Sequence, residues 1–241
     1  MAASGGCVGT AGILAVPGLP SRPRTGKTMP ELLQRAIALV MGIAATPLLA
    51  ILGLAVRLDS RGPILFRATR VGDGGRAFTC LKLRTMTWRP AAVGSGISVR
   101  DDPRATRVGR LLRASRADEL PQLWNVVRGE MLLVGPRPED PRFVDLEDPL
   151  HARVFRTKPG ITGLAQLAYA DEAERLDRDD PERHYREVIL PEKLALDAAY
   201  LARRSATLDL WILLQTIRTA LGRGPSRETI EARLGTSLGD R

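Results

Sequence analysis

The longest apolar stretch of the chain covers residues 36–56 and lies between two arginines. At about 1.5 Å of rise per residue, a helix over this stretch is roughly 31 Å long, close to the roughly 30 Å hydrocarbon core of a bilayer. Pro47 stands at its midpoint, where it removes a backbone donor, and the hydroxyl of the neighbouring Thr46 is able to bond a freed carbonyl. The pattern predicts a membrane helix over residues 30–57 that is broken at Thr46 and Pro47.

Basic residues flank this segment on both sides, whereas a spanning helix carries its excess of Lys and Arg on the cytoplasmic side. They are Arg22, Arg24, Lys27 and Arg35 before it, and Arg57, Arg61, Arg67 and Arg70 after it. The symmetry favours a re-entrant hairpin with both ends on the cytoplasmic face. A kinked spanning helix and a buried helix of a soluble protein remain as alternatives.

Two short strands are predicted after this segment, over residues 64–71 and 78–84. They flank Gly72-Asp-Gly-Gly, which has the composition of a hairpin turn. The glycines match neither GxGxxG nor a loop ending in Gly-Lys-Ser/Thr, so a nucleotide loop is excluded. Lys82 and Arg84 share one face of the second strand by two-residue alternation. That face either binds an anion or is a solvated edge.

A helix is predicted downstream of Asp118 and Glu119, with Gly129 as its stop and Pro121 in its first turn. Its apolar residues at helical spacing are Leu120, Leu123, Trp124 and Val127. The two carboxylates thus fall at or near a helix N-terminus, where backbone donors and the dipole favour anions. A second interpretation is that Ser115-x-x-Asp118 forms a capping box.

The rest of the chain divides by composition. Residues 1–29 are predicted to be a disordered basic segment, and residues 222–241 a polar tail with room for one short helix. Residues 171–186 are dense in charge and are interpreted as a solvated helix or loop. Apolar residues recur at near-helical spacing over 194–221, which predicts an amphipathic helix on the core or on a membrane. The predicted fold class is α+β and helix-dominated, with one small β-hairpin.

The amino-acid composition limits the classes of molecule that this protein is expected to bind. The 241 residues carry a formal net charge of +9, and arginine supplies almost all of the basic excess. Arginine's planar fork suits phosphate, so we expect a nucleotide, a nucleic acid or an anionic membrane. No nucleic-acid-binding module is recognised and aromatics make up only 4%, which argues against nucleic acid. Cys7 and Cys80 have no metal or redox spacing and indicate a reducing compartment.

Asp118 and Glu119 stand side by side in strongly basic surroundings. The arginines nearby in sequence are Arg104, Arg107, Arg110, Arg113 and Arg116, and Arg137 follows within Gly135-Pro-Arg-Pro. The flanking prolines fix backbone torsions on both sides of Arg137 and thereby pre-orient its side chain. Adjacent carboxylates in such a setting indicate chemistry on a phosphorylated anion, in which one attacks, the other holds a metal and the arginines neutralise phosphate.

Several segments, in this order, resemble the bacterial sugar transferases, the monotopic phosphoglycosyl transferases of glycan assembly, over roughly residues 35–221. They include Lys82-Leu-Arg-Thr-Met, Asp118-Glu-Leu-Pro-Gln-Leu-Trp-Asn-Val, Val134-Gly-Pro-Arg-Pro and Pro159-Gly-Ile-Thr-Gly-Leu-Ala-Gln. The resemblance implies a re-entrant helix broken at a position matched by Thr46 and Pro47. It also implies that residues 58–221 form a catalytic domain on the cytoplasmic face of the bacterial inner membrane.

The resemblance further implies transfer of a sugar phosphate from a nucleotide diphosphate sugar, usually a UDP-sugar, to polyprenol (undecaprenyl) phosphate with release of UMP. Asp118 is then the nucleophile that forms a phosphosugar intermediate, and Glu119 is the ligand of Mg²⁺. The residues assigned to substrate phosphate are Lys82, Arg84, Arg104, Arg113 and Arg137. Two alternatives stay open: a membrane-anchored scaffold that binds anionic lipid without catalysis, and a glycosyltransferase that releases UDP.

Overall fold

The computed structural model describes residues 28–88, 97–99, 102–177 and 179–234. The predicted disordered segment therefore lies outside the described residues except for its last two. The α-helices are α1 (Glu31–Asp59), α2 (Arg107–Ala114), α3 (Gln122–Arg128), α4 (Pro149–Phe155), α5 (Leu164–Ala168), α6 (Glu172–Arg175), α7 (Pro181–His184), α8 (Leu190–Arg203), α9 (Ala206–Ala220) and α10 (Arg227–Leu234). The strands are β1 (Leu65–Val71), β2 (Ala77–Leu83), β3 (Leu132–Val134) and β4 (Gly160–Thr162). The fold is α+β and helix-dominated, as predicted.

The apolar segment forms α1, an α-helix of 29 residues that continues through Pro47. The break predicted at Thr46 and Pro47 is therefore not an interruption of the helix. A proline removes a single backbone hydrogen bond, and the turns on either side keep theirs. The Thr46 hydroxyl donates to the Gly42 carbonyl over 2.9 Å, whereas the carbonyl that lacks its donor because of Pro47 is that of Ile43.

One stripe of α1 packs on the rest of the protein along its whole length. Near its start, the Gln34 side chain accepts a hydrogen bond from Leu133 N–H over 3.0 Å. At its end, the Asp59 carboxylate accepts one from Val108 N–H over 2.9 Å. Both ends of α1 thus attach to the same domain, while the opposite face exposes large apolar side chains, among them Val40, Ile43, Ile51 and Leu54. Among the described helices, α1 is the one that is long and apolar enough to cross a membrane.

The predicted β-hairpin is confirmed. β1 and β2 pair antiparallel, from Leu65 opposite Leu83 to Val71 opposite Ala77. The turn contains Gly74 with φ of 66°, a left-handed conformation that glycine adopts without strain. The observed strands differ from the predicted ranges by one residue.

A second, parallel strand pair was not predicted. Leu132 of β3 lies opposite Gly160 of β4, and Val134 lies opposite Thr162. Just after β3 the two backbone segments lie so close together that a Cβ on Gly160 would be 2.1 Å from the Gly135 amide nitrogen. This pairing joins the Gly-Pro-Arg-Pro run to the Pro-Gly-Ile-Thr-Gly run.

The C-terminal part differs from the prediction in two ways. The amphipathic stretch forms two helices, because Ser205 caps a new one by accepting a hydrogen bond from Leu208 N–H over 3.3 Å. The polar tail contains one short helix, α10, and this helix packs on α5 and α8 instead of standing apart from the domain. Ile230 and Leu234 are fully buried there. The packed domain therefore extends past residue 221, because two apolar side chains one turn apart suffice to dock a short helix.

Candidate active site

A tight turn between α2 and α3 presents the paired carboxylates. Asp118 and Glu119 lie on a 3₁₀ turn over Ala117–Glu119, and Pro121 is the residue before the first turn of α3. The alternative capping-box interpretation is wrong, since the Ser115 hydroxyl instead donates to the Leu111 carbonyl over 2.9 Å at the end of α2. The pair precedes α3 directly, as the sequence predicted.

Arg116 gives this turn its shape. Its backbone is left-handed, with φ of 55° and ψ of 16°. Among the described residues, it is the only non-glycine residue with a positive φ. Such a conformation costs roughly 1–3 kcal/mol and persists only where surrounding contacts hold it. The guanidinium supplies some of those contacts by donating to the Gln166 carbonyl over 3.3 Å. Nothing in the basic run distinguished Arg116 from its neighbours, so the sequence did not single it out.

Glu119 is an ionised, ion-paired carboxylate. Its Oε1 atom lies 2.8 Å from Lys82 Nζ and 3.5 Å from a guanidinium nitrogen of Arg137. Burial alone would favour the neutral acid, but Lys82 and Arg137 outweigh burial and lower the pKa of Glu119 to about 2. The Oε2 atom accepts no hydrogen bond from the described residues. One oxygen is therefore occupied by cations and the other is available.

Asp118 has the opposite environment. It is buried, and its carboxylate accepts no hydrogen bond from any described residue. Burial raises the pKa of Asp118, and the positive charge of Lys82 opposes that effect only in part. Two adjacent carboxylates with pKa values moved apart in this way are typical of catalytic pairs with divided roles.

Both carboxylates line a cleft of about 890 Å³, which extends from the hairpin to α5 and α6. The cationic side chains around it include Lys82, Arg113, Arg116 and Arg137. Glu119 also lines a smaller pocket of about 70 Å³, whose other lining residues include Cys80 and Tyr185. A cleft with this density of positive charge suits a polyanionic substrate.

The predicted phosphate-binding residues fall into different environments. Lys82, Arg113 and Arg137 lie together around the carboxylates. The Arg113 guanidinium is oriented by a 2.9 Å hydrogen bond to the Thr85 hydroxyl. Arg104 also lines the cleft, but its guanidinium forms a bidentate pair with Asp102, with contacts of 2.6 and 2.9 Å.

Arg84 forms hydrogen bonds at the C-terminal end of α1. Its side chain is buried, and its guanidinium donates to the carbonyls of Val56, Ser60 and Arg61. The Val56 carbonyl also accepts from the Ser60 N–H over 3.3 Å, whereas Ser60 and Arg61 lie past the last residue of α1. A cation at this helix C-terminus is also favoured by the helix dipole. These contacts of Arg84 are structural. Arg84 also lines the cleft, and its assignment to substrate phosphate stays a prediction.

The charge-dense stretch 171–186, interpreted above as solvated, contributes to the site instead. Glu172 of α6 lines the cleft and pairs with the buried Lys193 of α8 over 2.7 Å. Lys193 also donates to the Tyr185 hydroxyl over 2.9 Å, and that hydroxyl donates to Glu139. The sequence does not show that Glu172 pairs with Lys193, because Lys193 lies on a different helix, which only tertiary packing brings close to α6.

The carboxylates fit a hard cation bound together with a substrate. Within the described residues, no group of three or more His, Cys, Asp or Glu side chains converges to form a complete metal site. Mg²⁺ usually takes only one or two protein carboxylates and completes its octahedron with water and substrate phosphates. The free Oε2 of Glu119 meets that requirement.

Comparisons with known proteins identify the family of the chain. A family model described as "Bacterial sugar transferase" matches residues 25–223. The UDP-glucose:undecaprenyl-phosphate glucose-1-phosphate transferase of Caulobacter vibrioides is 42% identical over 190 residues, which are 77% of this chain and 67% of that protein. An exopolysaccharide production protein of Rhizobium leguminosarum bv. phaseoli is 34% identical over 208 residues, 81% of this chain and 98% of that protein.

Other relatives are longer than the matched region. A UDP-N-acetylgalactosamine-undecaprenyl-phosphate N-acetylgalactosaminephosphotransferase of Aeromonas hydrophila is 37% identical over 196 residues, which are 78% of this chain and 44% of that protein. The chain thus spans less than half the length of this relative. Because the family model covers most of the sequence and includes every residue of the cleft described above, the chain belongs to the bacterial sugar transferase family.

Proposed function

We propose that this protein is a phosphoglycosyl transferase, which moves a sugar 1-phosphate from a nucleotide diphosphate sugar to polyprenol phosphate. The observation that carries the proposal is the division between two adjacent carboxylates in a cationic cleft: Glu119 is ionised and ion-paired, and Asp118 has no hydrogen-bonding partner among the described residues. The names of the Caulobacter and Aeromonas relatives describe this class of reaction, with undecaprenyl phosphate as acceptor and UDP-sugars as donors.

The first step is nucleophilic attack by Asp118. A carboxylate oxygen bonds to the phosphorus that carries the sugar, and the bond from this phosphorus to the bridging oxygen breaks. For a UDP-sugar, that oxygen leaves with UMP, and an aspartyl phosphosugar remains. A carboxylate free of hydrogen bonds suits this role because it loses no contact on attack, and its raised pKa makes it more basic than an exposed aspartate.

The second step regenerates the enzyme. A phosphate oxygen of polyprenol phosphate bonds to the same phosphorus, and the bond to Asp118 breaks. The products are polyprenyl diphosphate sugar and free carboxylate. Both steps bring anions together, so they require strong positive charge at the reacting phosphorus.

The chain supplies that charge from three directions. Lys82 is on the hairpin, Arg113 on α2 and Arg137 on the loop after β3. Glu119 would hold Mg²⁺ through its free oxygen, and bound Mg²⁺ neutralises phosphate oxygens and orients the diphosphate. The pairing of Lys82 and Arg137 with Glu119 keeps these cations in place before the substrate arrives.

The apolar helix supports a location of the reaction at a membrane. Both ends of the unbroken helix α1 are hydrogen-bonded to the same domain, which supports a helix whose two ends lie on one side of the membrane better than a helix that spans it. Exposed apolar side chains also lie on α9, at Leu210, Leu214 and Ile217. The exposed apolar face of α1 forms a surface suited to lipid. We place this surface on the cytoplasmic face of the bacterial inner membrane, where nucleotide sugars are available.

The decisive experiment measures nucleotide release by the detergent-solubilised full chain with Mg²⁺, undecaprenyl phosphate and a panel of UDP-sugars. Asp118→Asn is compared with Asp145→Asn, a substitution at an exposed aspartate. Lipid-dependent UMP release that Asp118→Asn abolishes and Asp145→Asn retains would support the proposal. Release of UDP would identify a glycosyltransferase, and UMP release that survives in Asp118→Asn would remove Asp118 as nucleophile.

A further inference from the structure

Asp197 of α8 is a buried carboxylate that the proposed mechanism does not use. Its side chain is 3% exposed, and one oxygen, Oδ2, accepts a hydrogen bond from the Arg137 backbone N–H over 3.2 Å. The contact joins residues 60 positions apart in the sequence. A carboxyl group in such surroundings is costly to bury, so it persists where a specific contact offsets the cost.

This hydrogen bond is made to a loop that has few backbone N–H donors. Pro136 and Pro138 have no N–H, so Arg137 supplies the only backbone donor of the Pro-Arg-Pro run. The residues on either side are fixed from other directions: the Pro136 carbonyl accepts from Gly160 N–H, and the Glu139 carbonyl accepts from Val71 N–H, each over 2.9 Å. The Pro136 carbonyl and the Arg137 N–H belong to one planar peptide group, so Gly160 holds this group by its oxygen and Asp197 holds it by its N–H.

The position of this peptide matters because of the side chain it carries. The Arg137 guanidinium lies 3.5 Å from Glu119 and lines the cleft. A rotation of the Arg137 peptide would swing that guanidinium away from the reacting phosphate. We propose that Asp197 is a positioning residue, which acts through the Arg137 backbone to hold the Arg137 side chain on the substrate phosphate. This inference rests on the proposed function for the identity of that phosphate.

The anchor depends on an acceptor oxygen and not on charge. Burial raises the pKa of Asp197 to about 7, while the Arg137 N–H and the charge of Lys193 act in the opposite direction. Both the carboxylate and the neutral acid offer an oxygen to the Arg137 N–H. An asparagine keeps such an oxygen in the same shape, and a leucine of similar size has none, so the two substitutions form a matched pair.

The test compares Asp197→Asn and Asp197→Leu in the full chain, with Asp197→Ala as a second acceptor-free variant in case leucine prevents folding. We expect the acceptor-free variants to lose about 10- to 100-fold in kcat, because a misplacement of about 1 Å costs that much. Asp197→Asn should retain a kcat at least about tenfold higher than Asp197→Leu. In an Arg137→Ala background the same acceptor-free substitutions should change kcat by no more than about twofold, since the side chain they position is gone.

A second readout does not depend on activity. Hydrogen exchange in peptides that cover residues 132–143 should be faster in the acceptor-free variants than in Asp197→Asn, with peptides from the β1–β2 hairpin unchanged. Unchanged exchange at 132–143, or a full kcat loss that persists in the Arg137→Ala background, would overturn the inference. If the wild type releases no nucleotide with any donor, the proposed function fails, while the exchange result still decides whether Asp197 anchors the loop.

Discussion

Lys82 Nζ lies 2.8 Å from Glu119 Oε1, and this contact joins the β-hairpin to the turn that carries the paired carboxylates. Most of the Lys82 and Glu119 side-chain surface is buried, so the pair is shielded from solvent and is worth more than an exposed one. Lys82 therefore both neutralises Glu119 before substrate binds and lies within the cleft that receives the phosphates.

Removing Lys82 should shift the acid limb of the pH–rate profile. In the folded protein the pKa of Glu119 is about 2, below its ordinary value of 4.5, so the ionised form is retained down to low pH. The stabilisation from this pair is present above about pH 4.5 and is lost as pH falls through about 2. Lys82→Met should raise the pKa of Glu119, so we expect kcat/KM to begin falling at a higher pH than in wild type.

The control for this prediction is Lys82→Arg, which retains the charge. Profiles of kcat/KM against pH for the three proteins, with Mg²⁺ saturating, provide the comparison. An acid limb at the same pH in Lys82→Met and wild type would show that Lys82 does not control the ionisation of Glu119.

Arg84 should matter for stability more than for substrate affinity. Its guanidinium makes three hydrogen bonds to carbonyls at the end of α1. Hydrogen bonds to a charged group contribute about 1.5–3 kcal/mol, so Arg84→Ala should lower the free energy of unfolding by at least that amount. Thermal unfolding in detergent and the KM for the donor together test this. A normal melting temperature with a raised KM would instead place Arg84 on the substrate.

The helix α10 should stabilise the domain although it lies beyond the family match, which ends at residue 223. Ile230 is fully buried against the core, and truncation of a buried isoleucine to alanine costs about 2–5 kcal/mol. We expect Ile230→Ala to be destabilised by that amount. Glu228→Ala changes an exposed side chain of the same helix and should shift the free energy of unfolding by less than about 0.5 kcal/mol. Equal melting temperatures for the two variants would show that α10 does not dock in solution.

Deleting residues 1–57 should destabilise or aggregate the protein in the absence of detergent. The deletion removes Val56, which packs on Leu83 and Leu112, and Gln34, which bonds to Leu133. Light scattering and melting curves for the deleted and full chains measure the effect. A stable soluble monomer with full activity on undecaprenyl phosphate would contradict both the packing role of α1 and its assignment to the membrane.

Some parts of this protein follow from local sequence alone. The β-hairpin is one, because Gly72-Asp-Gly-Gly specifies a turn and the apolar and β-branched residues beside it favour strands. The apolar segment is another, since its length and composition leave few environments that accept it. Asp118 and Glu119 were identifiable for a chemical reason: adjacent carboxylates among many arginines are costly unless they bind something.

Other parts were decided by tertiary packing. The parallel β3–β4 pair has three residues per strand, too few to show periodicity, and forms because two glycines permit close approach. Lys193 and Asp197 belong to the site because α8 lies against α6 and the Pro-Arg-Pro loop, which no pattern within α8 reveals. Tertiary packing also decided the surroundings of the five predicted phosphate-binding residues. The Arg84 guanidinium, for example, bonds to carbonyls at the end of α1.

The sequence by itself determined which chemical groups this protein has and which short segments fold by local rules. The tertiary structure decided how those groups are paired. Lys82 and Arg137 meet Glu119 across 37 and 18 residues of chain, and these contacts set the different pKa values of the two carboxylates. Pairing of this kind depends on distances in space, and electrostatic energy falls with distance and rises with burial, neither of which a linear pattern specifies.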